Sequence, residues 1–229
     1  MKRNPFADLL NLMYPAVCLV CGRLLVGEER CLCLECLHNM PKTNYHLQDD
    51  NPVEERLWGK VPIQRGSSFF FFQKGSSFQK ILHCLKYKND TEVGLVLGKF
   101  AGIDLLQSPD FATVDVIVPV PLHPKKLKKR GYNQSEWIGK GLSEAMNKPQ
   151  NTESLIRVRE NVSQTQKSVY ERYENTEGIF ELKDKNTFEG KHILLVDDVL
   201  TTGSTLEACA KALLQTKDIK ISVFTLAIA

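Results

Sequence analysis

The chain has 229 residues, with 30 Lys plus Arg against 27 Asp plus Glu, a formal charge of +3, and 42% hydrophobic and 25% charged residues. That composition belongs to a globular protein and excludes a disordered chain, which buries too little apolar surface to offset backbone ordering. The near balance of charge excludes a general attraction to nucleic acid, so any such affinity has to come from a local basic patch.

Lys2 and Arg3 precede an apolar run, but Asn4, Asp8, Asn11 and Pro15 interrupt it and no small-residue cleavage site follows. No stretch of ~18 apolar residues is present to span a bilayer. These features predict a cytoplasmic protein with no membrane insertion. Pro5, Phe6, Leu9, Leu10 and Met13 have helical spacing and are expected to pack the N-terminal module onto the rest.

Five of the seven cysteines lie between positions 18 and 36. Cys18 and Cys21 form one C-x-x-C pair, and Cys33 and Cys36 a second, with eleven residues between the pairs. Two such pairs complete the closed tetrahedral sulfur set of structural zinc, which leaves no open position for catalysis. Iron also accepts four thiolates, and buried reduced cysteines are the bland alternative. Cys31 stands outside the paired spacing and leaves open whether it can replace Cys33. Cys84 and Cys209 sit in apolar helical patterns and read as core.

Pro41 closes the module, and the polar residues 44–62 read as a connecting segment. Phe69–Phe72 suits a buried strand rather than a base-stacking platform, since basic residues are not interleaved. Helices are expected at Ser77–Tyr87, Glu92–Leu106, Asn133–Met146 and Ser204–Leu214. Strands are expected at Asp115–Pro119, Lys191–Asp197 and Ile221–Ile228. This alternation predicts a mostly parallel α/β sheet flanked by helices. Residues 150–190 are polar and irregular. The organisation expected is a helix and zinc module over 1–43, a linker over 44–62 and a main domain over 63–229.

The strongest chemical signal is the string from Ile193 to Thr205. A hydrophobic strand delivers Asp197 and Asp198 at its carboxyl end, where ligands bind in open α/β sheets. A turn of Thr201, Thr202, Gly203, Ser204 and Thr205 follows and opens a helix, which makes an anion site. Carboxylates beside a phosphate cradle suit a ribose phosphate, whose hydroxyls donate to the acids while its phosphate sits in the turn. A plain N-capped helix would explain one carboxylate and one hydroxyl, not the whole string.

The string resembles the phosphoribosyl pyrophosphate signature of type I phosphoribosyltransferases. The chain resembles the ComF/GntX competence-protein family nearly end to end. The likeness runs from the cysteine pairs through Leu85-Lys86-Tyr87-Lys88, Val118-Pro119-Val120-Pro121 and Arg130-Gly131-Tyr132-Asn133-Gln134. It continues through Gln164, Arg172 and Asn175 before Gly178 and Phe180. The resemblance implies a type I phosphoribosyltransferase domain behind a four-cysteine zinc module, a role in DNA uptake during natural transformation, and a helicase-like partner. It assigns Asp197 and Asp198 to the ribose hydroxyls as catalytic acids, Thr201–Thr205 to the 5-phosphate, and Val120, Pro121 and Leu122 to the pyrophosphate loop.

Chemistry of that kind calls for phosphoribosyl pyrophosphate, Mg²⁺ and cations at the leaving group. Lys125, Lys126, Lys128, Lys129 and Arg130 follow the pyrophosphate loop directly. They admit three readings: a solvated loop, a lid over pyrophosphate, or a phosphate-contacting patch for single-stranded DNA. Lys86 and its neighbours extend the basic surface or form a snorkelling helix end. The acceptor stays unassigned, and glutamine amide transfer is not expected because no amidotransferase domain accompanies the site. The rival to a transferase is a non-catalytic binding scaffold of the competence machinery.

Overall fold

The computed structural model describes residues 15–87, 91–159 and 178–229. The helix expected over 5–13, Lys88, and the run of Gln164, Arg172 and Asn175 lie outside them. Four parallel strands form the sheet: β1 (Gly66–Phe71), β2 (Val116–Pro119), β5 (His192–Leu200) and β6 (Lys220–Ile228), in the order β1-β6-β5-β2. Among the described residues two further short strands, β3 (Leu155–Arg157) and β4 (Phe180–Leu182), pair antiparallel as a separate two-stranded sheet. The stretch read as irregular thus holds an element built by pairing across more than twenty residues, which local periodicity does not reveal.

Central strands of a parallel sheet are covered on both faces, and the period of two divides their side chains between two cores. On β5, Leu194 and Val196 join one core while Ile193 and Leu195 join the other, all fully buried. Truncating such a residue to alanine costs about 2–5 kcal/mol. At the sheet's edge, β1 runs from Gly66, and Phe71 is 43% exposed. The phenylalanine run expected to be buried throughout is therefore buried at Phe69 and Phe70 only.

Helices in chain order are α1 (Leu34–His38), α2 (Pro52–Glu55), α3 (Gln79–Tyr87), α4 (Thr91–Leu105), α5 (Pro109–Ala112), α6 (Pro124–Arg130), α7 (Gln134–Met146) and α8 (Ser204–Leu213). Residues 44–62 pack closely: Tyr45, Val53, Leu57 and Val61 are buried, and Asn51 caps α2. Asn51 Nδ2 also donates to Gly66 O at 2.9 Å.

The basic run expected as a loop is the helix α6. His123 accepts the Lys125 N–H as N-cap, Pro124 occupies the first turn, and Gly131 at φ +83° ends it. Pro at the start and Gly at the stop are the helix's own punctuation, and the charge run masked them.

Helices α4 and α7 touch backbone to backbone. A Cβ on Gly98 would lie 2.3 Å from Ile138 O, and one on Gly141 would lie 2.2 Å from Leu95 O. This close approach fixes α7, whose first residues enter the site. The cysteine module joins the same core, since Cys18, Val20, Leu32, Cys33, Cys36 and Met40 cluster with Ile81, Leu82, Leu85 and Leu97. Lys80 Nζ donates to Val20 O at 3.1 Å across that contact. No helix among the described residues is long and apolar enough to cross a membrane.

Candidate functional site

The site lies at the carboxyl end of β5, where its run of buried residues gives way to half-buried Asp197 and Asp198. The strand continues past them to Leu200, paired with Ile228 of β6, so both carboxylates stand on regular backbone. Ser135 Oγ donates to Asp197 Oδ1 at 3.0 Å, and the Asp198 N–H donates to the same oxygen at 2.8 Å. Burial pushes the Asp197 carboxyl up to about 7, helped by the charge of Asp198 and opposed by those two hydrogen bonds and by Lys86. Asp198 pairs with Lys86 Nζ at 3.1 Å.

The turn after β5 is held from beneath. Gly203, at φ +83°, adopts a left-handed conformation that side chains rarely take, and a Cβ there would meet Leu57 at 3.4 Å and Arg56 O at 3.5 Å. The Arg56 guanidinium donates to Leu200 O at 3.1 Å, to Thr201 O, and to Ala229 O at the end of β6. Thr201, Thr202 and Ser204 are exposed, with the Thr202 and Ser204 hydroxyls 3.0 Å apart. The turn therefore presents hydroxyls outward from a braced backbone. Its hollow, about 20 Å³, adjoins a larger cleft of about 270 Å³.

Val120, Pro121 and Leu122 line the far wall of that cleft. The Val120 N–H donates to Val196 O at 2.8 Å, and Asn133 Nδ2 donates to Val120 O at 2.9 Å, so the loop is fixed on both sides. From α6, Lys126 and Arg130 reach the cleft, being one turn apart on one helix face; Lys125, Lys128 and Lys129 do not line it. Tyr132 anchors the cleft indirectly by donating to Leu85 O of α3.

Five further residues line the cleft: Lys86, Asn133, Gln134, Ser135 and Arg157. Lys86 crosses from α3 to Asp198 and shares the cleft with Lys126 and Arg130, so it extends their basic surface inward rather than forming a snorkelling end. Ser135 and Gln134 come from the first turn of α7. Arg157 comes from β3, its guanidinium 5.3 Å from the centre of the Phe180 ring. The Arg130–Gln134 motif marks Asn133 and Gln134; nothing local marks Ser135 or Arg157. Lys86, Lys126, Arg130 and Arg157 thus surround two carboxylates, which suits a ligand carrying both hydroxyls and several negative charges.

In the N-terminal module the Sγ atoms of Cys18, Cys21, Cys33 and Cys36 all lie within 4.8 Å of one another, as the paired spacing predicts. The Cys21 and Cys33 sulfurs are 3.7 Å apart, the separation of two corners of a tetrahedron with Zn–S bonds of about 2.3 Å. Gly22 at φ +75° turns the first knuckle, with its N–H on Cys18 O at 2.8 Å. Cys33 caps α1 by accepting the Cys36 N–H at 3.4 Å. Cys31 is buried outside the four-sulfur group.

Burial opposes ionisation of Cys18, but backbone N–H groups of Cys21, Cys33 and Val20 aimed at its sulfur prevail and bring it to about 6. Burial and the neighbouring sulfurs push Cys36 the other way. Thiolates crowded together raise one another, and a divalent cation among them removes that conflict. The donor set fits structural zinc.

The fold is of the type I phosphoribosyltransferase kind, and the phosphoribosyl transferase domain family matches residues 133–228. Competence protein ComFC of Bacillus subtilis (strain 168) is 39% identical over 219 residues, covering 89% of this chain and 86% of that one. DNA utilization protein YhgH of Escherichia coli (strain K12) is 29% identical over 220 residues, 95% of this chain and 92% of the relative. Competence protein F of Haemophilus influenzae is 36% identical over 114 residues, about half of each chain. The chain belongs to the ComF family of competence proteins.

Proposed function

We propose that the cleft binds phosphoribosyl pyrophosphate with Mg²⁺ and transfers its ribosyl group to an acceptor in the service of DNA uptake. The observation that carries this reading is the junction at the end of β5: adjacent carboxylates, a hydroxyl-rich turn on one side and a cationic wall on the other. Asp197 and Asp198 accept the ribose hydroxyls, Thr201–Thr205 hold the 5-phosphate, and Val120–Leu122 contact the pyrophosphate. Lys126 and Arg130 face the negative charge that grows on the leaving group, and Lys86 moves between Asp198 and that group as the ligand enters. Bound with the substrate's phosphates, Mg²⁺ supplies further neutralisation of the leaving charge.

Zinc on Cys18, Cys21, Cys33 and Cys36 is structural, because four sulfurs close its coordination. Names of relatives, competence and DNA utilization, support the DNA-uptake setting. Calorimetric titration with phosphoribosyl pyrophosphate, with and without Mg²⁺, tests the reading beside an Asp197→Asn/Asp198→Asn double variant. Saturable binding that the variant loses supports it; folded, zinc-loaded protein that takes up no ligand refutes it.

A second reading rests on α6. Lys125, Lys128 and Lys129 are exposed and lie outside the cleft lining, a face suited to the phosphates of single-stranded DNA beside a helicase partner. Replacing these three lysines with glutamine should reduce the salt dependence of DNA binding and leave phosphoribosyl pyrophosphate affinity unchanged. An unaltered salt slope excludes this face.

A further inference from the structure

Gln134 opens α7 directly after its N-cap, Asn133. The residue is 2% exposed, yet its Nε2 has no hydrogen-bond partner among the described residues. An amide buried without a partner destabilises the fold, so its persistence points to a group outside the protein that completes it. Gln134 lines the cleft beside the loop 120–122 and the α6 residues Lys126 and Arg130.

The surroundings of that amide are those of an anion site. The 13-residue α7 brings the positive end of its backbone dipole to the cleft through Gln134 and Ser135. Asn133 ties this first turn to the loop: its Oδ1 accepts the Ser135 N–H at 3.2 Å while its Nδ2 donates to Val120 O at 2.9 Å. Loop and turn thus form one wall, with its donors fixed before any ligand arrives.

We infer that Gln134 Nε2, with the amino end of α7, is a donor subsite for the pyrophosphate oxygens of the ligand, apart from the contacts to ribose and 5-phosphate. The inference rests on the phosphoribosyl pyrophosphate reading and adds a binding residue at the leaving-group end. A neutral donor already in place strengthens as charge gathers on the departing oxygens and needs no rearrangement at that moment.

The test is calorimetric titration of the full, zinc-loaded chain with inorganic pyrophosphate, and separately with ribose 5-phosphate, in wild type and Gln134→Leu. The expected loss for pyrophosphate is about ten- to a hundredfold, the fold-change of one hydrogen bond to a charged oxygen. Ribose 5-phosphate should change by less than about twofold, and the melting temperature should hold or rise because the unpaired amide is gone. A merely structural glutamine would instead lower the melting temperature and weaken both ligands alike, which overturns the inference. So does unchanged pyrophosphate affinity in the variant, or a wild type that binds no pyrophosphate. Wild type that takes pyrophosphate but not phosphoribosyl pyrophosphate defeats the proposed function and leaves this subsite standing. Should Gln134→Leu fail to fold, Gln134→Asn keeps a buried amide with shorter reach, and the same selective loss of pyrophosphate is expected of it.

Discussion

Replacing Gly98 by alanine tests the backbone contact on which the cleft's geometry depends. The added Cβ would sit 2.3 Å from Ile138 O, with Gly141 Cα and Ile138 C both at 3.1 Å. A relaxed carbon–oxygen contact needs about 3.3 Å, so α4 and α7 must part by about 1 Å. Overpacking of this kind costs about 1–3 kcal/mol, and alanine's better helix propensity returns up to about 1 kcal/mol. The neighbours cannot yield by turning a side chain, because the clash is with backbone. Adding lost contacts among Leu97, Ala101, Ile138 and Leu142, all buried, gives a net destabilisation of about 2 kcal/mol. Urea denaturation should therefore show a lower midpoint with an unchanged slope. Binding should weaken as well, since a 1 Å shift of α7 breaks the 3.0 Å bond from Ser135 to Asp197. An alanine variant as stable as the wild type, or more stable by the propensity term alone, would refute the close helix contact.

Asp197, raised to about 7, must be ionised to accept ribose hydroxyls, so phosphoribosyl pyrophosphate affinity should rise with pH through about 7 and fall roughly tenfold one unit below it. In the free protein the sign is opposite: the folded state keeps a proton that the unfolded chain loses near 3.8, so this group's contribution to stability declines as pH rises from about 4 to 7. The Asp197→Asn variant should show neither dependence in titrations and denaturation curves compared at pH 6 and 8. Purified protein should contain one zinc per chain by elemental analysis, and Cys33→Ser should lose it and melt at lower temperature, because Cys33 belongs both to the four-sulfur group and to the buried core. A Cys33→Ser protein with full zinc would hand the ligand role to Cys31. Arg56→Ala should weaken ribose 5-phosphate binding about tenfold and speed amide exchange at Thr201–Ser204, since three carbonyl contacts beneath the turn are lost. Unchanged exchange there would mean that Leu57 packing alone holds the turn.

What the chain's own order of residues determined is the part whose physics is local. Two C-x-x-C pairs bring sulfurs together within one turn of chain, and the four expected ligands meet in space. A buried apolar run followed by Asp197, Asp198 and a Thr-rich turn carries its geometry with it, because strand, turn and helix start are adjacent. Strand and helix periods likewise placed the parallel sheet and its covering helices. Local reading failed where one signal hid another: the charges of 125–130 concealed a Pro-started, Gly-ended helix. It failed again where pairing is distant, as between β3 and β4. Only tertiary structure decided that Lys86 meets Asp198, that Ser135 and Gln134 face the cleft, that Arg157 joins them, and that Arg56 braces the turn 144 residues away. Those contacts depend on how crossover connections stack helices on the sheet and on how near two glycine-bearing helices can come, and neither is written in any short stretch of sequence.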